Sequence, residues 1–465
     1  MDPNMMDTEV LMELAMDKIL RYLEEKRFFK ARDELLKFNA VDIAEMMEDI
    51  AEETDPEMAV ILFRLLPKAV SVDVFSELPS DDQLDIINMI TDKEISYIMQ
   101  EMDFDDKIDV LEELPANIVD KILEKTPKNE RKMINTFLNY PDDCAGSLMT
   151  PDYISLRKDW SVKEALHYIR EVGMDAETVY TCYVKDSGRK LIGIVPLSTL
   201  VISDDDEKVM NIMKTEYVFE EVYANQEEVS DDFKKYGFIA LPVVDKEHRL
   251  VGIITVDDIL DVMEEEATED IERMNGVIDW EDSDKGYLDM SVLQHTVNRL
   301  PWLIILMVAY VFTGMIIDKF QGALQVQPEL IMYMPMLMGT GGNTGSQAAT
   351  LIIRGLATDE VETGDALKVL WKEVRIGFTV GLILSIINFA RVCLLDGKTP
   401  LVALTVCSAM LVIVMCAKII GSMVPLIVKK INLDPALIAN PAISSVSDIV
   451  ALTIYFAMAT FFLGI

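Results

Sequence analysis

Asn440, Ser444 and Asp448 recur at steps of four in the last apolar stretch, Leu433–Ile465, so on a helix all three face roughly the same way. An almost wholly apolar run, Ile449–Ile465, follows Asp448 and sets its carboxylate inside a membrane span. An ionisable group there is costly, and it marks an ion path or a buried partner of opposite charge. Lys418, in the preceding apolar stretch, is the candidate for that partner. A second polar run, Met338-Gly-Thr-Gly-Gly-Asn-Thr-Gly-Ser-Gln347, interrupts another apolar segment. Its glycines weaken a helix and admit close backbone approach, and it lacks the Gly-Lys-Ser/Thr ending of a phosphate loop. Irregular backbone at membrane depth persists only where protein or a wet cavity covers it. Asn343 and Gln347 therefore belong beside a path, with tight helix packing as the alternative.

A third constellation is acidic. Asp258, Asp261, Glu265, Glu269 and Glu272 fall on one helical stripe at steps of three and four. Like charges so placed destabilise a helix by a few tenths of a kcal/mol per pair. A divalent cation between this stripe and another acidic surface removes the repulsion, and Mg²⁺ suits such a place because it takes few carboxylates and keeps several waters. The alternative is a polar connecting helix with no ion. Asp105 and Asp109, one turn apart, could hold a cation, but taken alone they read as a solvated helix face. His167, His248 and His295 carry no companion motif for Ser/His/Asp or Cys/His catalysis, so no enzymatic activity is expected.

Charge divides the 465-residue chain. From Ser291 onward there are 10 Asp+Glu and 11 Lys+Arg; the totals of 80 and 42 leave 70 and 31 before that point, a net of −39. The acidic excess thus belongs to a soluble N-terminal part and the rest is a membrane domain. A surface of that sign excludes nucleic acid and favours cations. The five cysteines form no CxxC and three lie in apolar spans, which fits reduced thiols. The acidic N-terminus has no apolar signal-peptide core.

In chain order, residues 1–137 read as short amphipathic helices: Phe75–Ile87 recurs 24 residues later as Met99–Leu111, with half-units near Glu77, Thr91, Glu101 and Glu113. Stacked units of this kind build a superhelix rather than a catalytic pocket. Residues 138–256 hold two copies of a strand-and-helix module, with a helix over 161–172 and strands over 178–184 and 190–196, then a helix over 226–236 and strands over 240–244 and 250–255. Residues 257–290 form an acidic connecting helix, beginning at 257–274, and a linker that runs through Val277–Tyr287 toward the membrane part. Residues 291–465 give five spans, at about 301–317, 330–353, 374–395, 400–428 and 436–464, each able to cross roughly 30 Å of hydrocarbon. The charged stretch Thr358–Lys372 reads as an amphipathic helix on the inner surface. With the N-terminus cytoplasmic, Arg299, Arg354, Lys368, Lys372, Arg375, Lys429 and Lys430 lie inside, against Lys319, Arg391 and Lys398 outside. Seven against three agrees with the positive-inside rule and leaves the C-terminus outside.

The paired modules resemble tandem cystathionine-β-synthase (CBS) domains through Met149-Thr-Pro151, Leu241-Pro-Val-Val-Asp245 and Leu250–Asp258. That resemblance implies an adenine nucleotide such as ATP at the second copy, contacted by Gly252, Thr255 and Asp258. The first copy departs from the pattern at Gly193–Thr199, and a purely structural CBS pair is the alternative.

Over essentially the whole chain the sequence resembles the MgtE family of magnesium channels. The matching residues are Pro335, Gly341-Gly-Asn-Thr-Gly345, Gln347, Arg354-Gly-Leu356, Leu433-Asp-Pro-Ala436, Asn440-Pro441, Ser447-Asp448 and Glu265–Ile271. The fold implied is a multidomain membrane protein with an all-α repeat domain, an α/β CBS pair and a five-span α-helical transmembrane domain. The function implied is Mg²⁺ uptake across the plasma membrane by a homodimer with its pore on the two-fold axis. By the same resemblance the Asp448 pair binds hydrated Mg²⁺, Asn440 and Ser444 line the path with Asn343 close by, and Asp434 lies near the cytoplasmic mouth. The gate implied is the acidic connecting helix, a plug held by Mg²⁺ among Asp258, Asp261, Glu265, Glu266, Glu269 and Asp270. Asp105 and Asp109 match the N-domain partners by spacing only. Octahedral oxygen sites also leave Mn²⁺ and Co²⁺ open as cargo. A proton- or sodium-coupled divalent cation carrier could use Asp448 as its coupling site. An intramembrane aspartyl protease fails, because its GxGD and tyrosine-aspartate signatures are missing.

Overall fold

The structure, a computed structural model, describes residues 8–54, 56–278, 287–288, 290–358, 360–437 and 440–464. The linker residues 279–286 expected ahead of the membrane part lie outside them, as do residues 438–439 of the last expected span. The chain divides into two compact units, 1–263 and 264–465.

Unit 1 begins with α1 (Thr8–Glu24), α2 (Phe28–Leu35), α3 (Ala40–Glu53), α4 (Pro56–Leu65), α5 (Lys68–Ser76), α6 (Ser80–Met89), α7 (Asp92–Glu101), α8 (Phe104–Glu113), α9 (Ala116–Lys125) and α10 (Lys128–Phe137). From α4 on, the helices start at 56, 68, 80, 92, 104, 116 and 128, each 12 residues after the last. The 24-residue repeat is two such steps. Pro67, Pro79, Pro115 and Pro127 precede α5, α6, α9 and α10 in extended conformation, where a missing N–H costs nothing. Thr91 opens α7 with a full capping box to Glu94. Ten-residue helices leave one apolar stripe each, such as Ile95, Ile98 and Met99 on α7 or Phe104, Ile108 and Leu111 on α8, and these stripes share one core.

The module that follows occurs twice. Its first copy holds β1 (Tyr153–Arg157), α11 (Val162–Val172), β2 (Thr178–Lys185), β3 (Leu191–Pro196) and α12 (Leu197–Ile202). After α13 (Val209–Ile212), the second holds β4 (Glu220–Glu221), α14 (Gln226–Tyr236), β5 (Ala240–Val244), β6 (Leu250–Thr255) and the start of α15 (Val256–Met274). Each sheet has one parallel and one antiparallel pairing: β1 with β2 then β2 with β3, and β4 with β5 then β5 with β6. A Cβ on Gly252 would lie 2.8 Å from the Thr150 carbonyl, and one on Gly193 would lie 2.9 Å from that of Lys214. Equivalent glycines in β6 and β3 thus let a neighbouring strand pass at backbone contact.

Unit 2 holds the end of α15, then α16 (Val292–Lys319), α17 (Gln321–Val326), α18 (Met334–Ala357), α19 (Ala366–Leu394), α20 (Pro400–Lys430) and α21 (Asn440–Leu463). Two expectations need correction. Among the described residues four helices, not five, are long and apolar enough to cross a membrane: α16, α19 with its preceding turn, α20 and α21. The remaining expected span is α18, whose 24 residues reach about 36 Å but whose Gly, Thr, Asn, Ser and Gln keep it below that apolar composition. It packs between α20 and α21 instead of presenting an oily surface. Nor is Thr358–Lys372 a separate surface helix, since after a short turn at Thr363–Asp365 its remainder forms the first turns of α19.

The glycine run does not break α18. A Cβ on Gly421 of α20 would run into the Gly345 carbonyl, and one on Gly342 would meet Ser444 of α21 at 3.3 Å. The backbones themselves are in contact, and this packing offsets the low helix propensity of glycine.

Candidate functional site

In unit 1 the acids of α8 lie near those that open α15 at the end of the paired module. Asp105 is buried at 8% exposure and accepts a hydrogen bond from the Asp106 amide at 3.2 Å. Burial, reinforced by Asp258 and Glu177, pushes its carboxyl up to about 9. The solvated-face reading of this residue is therefore overturned. Asp109 reaches solvent, yet crowding by protein and then by Asp258 and Glu112 raises it to about 7. Asp258 rises to about 6 by burial, opposed by the Thr255 hydroxyl, which donates to its Oδ2 at 2.8 Å. Burial and neighbouring carboxylates also raise Asp106 to about 6 and Glu177, just ahead of β2, to about 7. Glu77 is raised by burial and by Asp261. Lys107 on α8 bonds to Glu130 at 3.1 Å.

Burial raises each of these carboxyls first and the neighbouring carboxylates add to it, a local excess of negative charge that a cation would relieve. Among the described residues no three His, Cys, Asp or Glu side chains are grouped closely enough to hold a metal ion. An ion here would rely on retained water for much of its shell, as Mg²⁺ does.

A cavity of about 850 Å³ opens between the two CBS copies, walled by Tyr183, Ile194, Tyr217, Phe238 and Pro242. Among the described residues the buried Tyr183 hydroxyl has no hydrogen-bond partner. Gly252, Thr255 and Asp258 do not line this cavity; Gly252 packs on Met149 and Thr150, and Thr255 bonds to Asp258.

In unit 2, α21 carries Asn440, Ser444 and Asp448, all half-buried, beside α18. Ser346 of α18 joins the two helices, with its Oγ 3.1 Å from Ser444 Oγ and 3.4 Å from the Asn440 carbonyl. The exposed face of α18 carries Pro335, Gly339, Asn343, Gln347, Thr350 and Arg354, with the apolar Leu351 beside them. Among the described residues, Asn440 Oδ1 and Ser447 Oγ are buried without hydrogen-bond partners. Lys418 is buried on α20, and among the described residues no ion pair joins it to Asp448.

Asp434 precedes α21 in a turn, its Oδ1 accepting from the Ala436 amide at 2.8 Å. Its Oδ2 faces Arg273 of α15 at 3.4 Å, and Arg273 also pairs with Glu269. Burial, then Asp434 and Glu266, raise the Asp270 carboxyl, with Lys429 opposing. Glu265 is exposed and Glu266 half-buried on the same helix.

The structure thus gathers Asp105, Asp109 and Asp258 in unit 1, and Glu269, Asp270 and Asp434 in unit 2. Sequence reasoning missed Asp106, Asp257, Glu177 and Arg273. Asp106 and Asp257 adjoin residues already singled out. Arg273 was visible as the basic residue in the last turn of an acidic helix. Glu177 left no local signal.

Comparison with known proteins follows the same division. Residues 334–458 match the model of the MgtE divalent cation transporter family, 38–143 that of the MgtE intracellular N domain, and 145–204 and 209–265 that of the CBS domain. The magnesium transporter MgtE of Thermus thermophilus is 35% identical over 449 residues, 94% of this chain and 98% of its own. That of Bacillus subtilis is 32% identical over 392 residues, 84% of this chain and 85% of its own. A crystal structure of the cytosolic domain of the Mg²⁺ channel MgtE in complex with ATP is similar at 31% identity and a TM-score of 0.50, covering 53% of this chain and 99% of that one. With three matching family models in order and relatives spanning nearly its full length, this chain belongs to the MgtE family of magnesium transporters.

Proposed function

We propose that the chain forms a homodimeric Mg²⁺ channel of the plasma membrane whose pore runs along α18 and α21, closed by cytosolic Mg²⁺ bound among the α8 and α15 carboxylates. One observation carries this reading: α18 exposes Asn343, Gln347 and Thr350 and packs through Gly342 and Ser346 against the helix that carries Asn440, Ser444 and Asp448, in a largely apolar helical unit. Polar side chains at membrane depth face a wet path or a protein partner, and lipid suits them poorly. A second copy across a two-fold axis would cover this face and bring two Asp448 carboxylates together. Mg²⁺ sheds water reluctantly, so the pore would grip it through its hydration shell with carboxylate, amide and carbonyl oxygens. The N-terminus is cytoplasmic and the C-terminus outside.

In this reading Mg²⁺ neutralises Asp105, Asp109 and Asp258, whose mutual repulsion otherwise loosens unit 1, and acts at Asp261, Glu265, Glu266, Glu269 and Asp270 along α15. The cavity between the CBS copies, with its orphaned Tyr183 hydroxyl, is the place for ATP. A related cytosolic domain was crystallised with that nucleotide. The pore assignment is tested by thiol labelling. In membranes, Asn343→Cys reacts with a charged, water-soluble thiol reagent and Mg²⁺ flux falls, whereas Leu303→Cys on the exposed face of α16 is unreactive. Equal unreactivity at both positions contradicts a pore along α18.

A further inference from the structure

The acids at the end of α15 and at Asp434 already have a cation, and it belongs to the protein. Arg273 sits in the last turn of α15, one turn beyond Glu269, where a base is favoured by the helix dipole. A base there purely for helix stability would need no other partner. Its guanidinium instead forks, pairing with Glu269 and reaching 3.4 Å to Asp434 Oδ2, 161 residues along the chain. Asp434 is arranged for this, because the Ala436 amide takes its Oδ1 and leaves Oδ2 to face Arg273.

The neighbours of Arg273 fix the end of α15 at the same place. Met274 packs against Ala349 and Ile353 of α18 and Ile443 of α21. Gly276, at φ +75°, ends the helix in a conformation that suits glycine, and a Cβ there would lie 3.1 Å from the Trp302 ring of α16. Without the guanidinium, Glu269 and Asp434 would lose the base that joins them, beside an Asp270 that Lys429 alone is shown to oppose among the described residues.

Resting on the channel reading, we infer that Arg273 is a built-in latch. It bridges the end of the closing helix to the pore mouth when no metal is bound, and so slows but does not stop conduction at vanishing Mg²⁺, while the α8–α15 contact dissolves. Replacing Arg273 leaves Glu269 and Asp434 to Mg²⁺ alone and makes docking of α15 fully metal-dependent.

The test is hydrogen exchange of residues 264–276 in the full-length, detergent-solubilised protein, with Mg²⁺ flux into proteoliposomes alongside. In metal-free buffer, exchange in Arg273→Gln and in Asp434→Asn is faster than in wild type by roughly three- to five-fold, as suits a partly exposed ion pair. Arg273→Lys stays near wild type, and millimolar Mg²⁺ restores slow exchange in Arg273→Gln. Flux through Arg273→Gln at chelated Mg²⁺ rises by a similar factor. Unchanged exchange in Arg273→Gln overturns the inference. So does acceleration that Asp434→Asn fails to reproduce or Mg²⁺ fails to reverse, since that pattern belongs to helix stability alone. If wild-type protein passes no Mg²⁺ at all, the channel reading falls instead, and the exchange result stands separately.

Discussion

Asp105 is the residue whose environment differs most from what its neighbourhood in the chain suggests. Asp105 and Asp109 look like the wet side of an amphipathic helix, because the carboxylates that act on Asp105, Asp258 and Glu177, are remote in sequence. The shift has a sign that can be checked. A carboxyl whose folded pKa is raised above its unfolded value binds more protons when folded, so stability falls as pH rises between the two values. For Asp105 that window runs from about 4 up to about 9, and Asp109, Glu177, Asp106 and Asp258 add to its lower part, up to about 6 or 7. The metal-free protein therefore has a lower thermal midpoint at pH 8.5 than at pH 5.5 by differential scanning fluorimetry, and Mg²⁺ restores it most at the higher pH. Asp105→Asn raises the metal-free midpoint at pH 8, by about 1–3 kcal/mol of relieved burial, and blunts the gain from Mg²⁺. A midpoint independent of pH, or a destabilised Asp105→Asn, contradicts the account.

At the level of elements, much was legible because the signals were local. The α14 boundaries, Gln226–Tyr236, match the sequence expectation, since Asn225 caps one end and Gly237 in the left-handed conformation stops the other. The twelve-residue step of α4–α10 was visible as a doubled repeat. What α18 does was less legible, because its glycines suggested broken backbone; the compensating partner, Gly421, lies 76 positions beyond Gly345 on another helix. Overpacking at that crossing should be costly. Gly421→Ala lowers the thermal midpoint of the detergent-solubilised protein, at about 1–3 kcal/mol. Gly314→Ala, where nothing lies within 4 Å of the added Cβ, leaves it unchanged or slightly raised. Equal midpoints for the two variants would show that the α18–α20 contact tolerates separation.

For the whole molecule, a net charge of −38 and a polar face on a membrane unit are two parts of one device. In the proposed channel the N-terminal part is an acidic body whose self-repulsion would rise as Mg²⁺ falls, and the membrane part would offer the ion a path. Shifting a gate from 1:99 to 99:1 takes about 5.5 kcal/mol of differential binding, within reach of several weak sites acting together. Protons compete for the same carboxylates, so closure by cytosolic Mg²⁺ weakens as pH falls from 8 to 6. The central claim is that Asp448 lies on the ion path of an Mg²⁺-closed channel. It is tested most directly by Mg²⁺ flux into proteoliposomes, for wild type and Asp448→Ala, with low and then millimolar Mg²⁺ on the side of the N-terminal domain. The account predicts that wild type conducts at low Mg²⁺ and slows at high Mg²⁺, and that the folded Asp448→Ala protein does not conduct at either. Normal conduction by Asp448→Ala would contradict it and move the path away from α21.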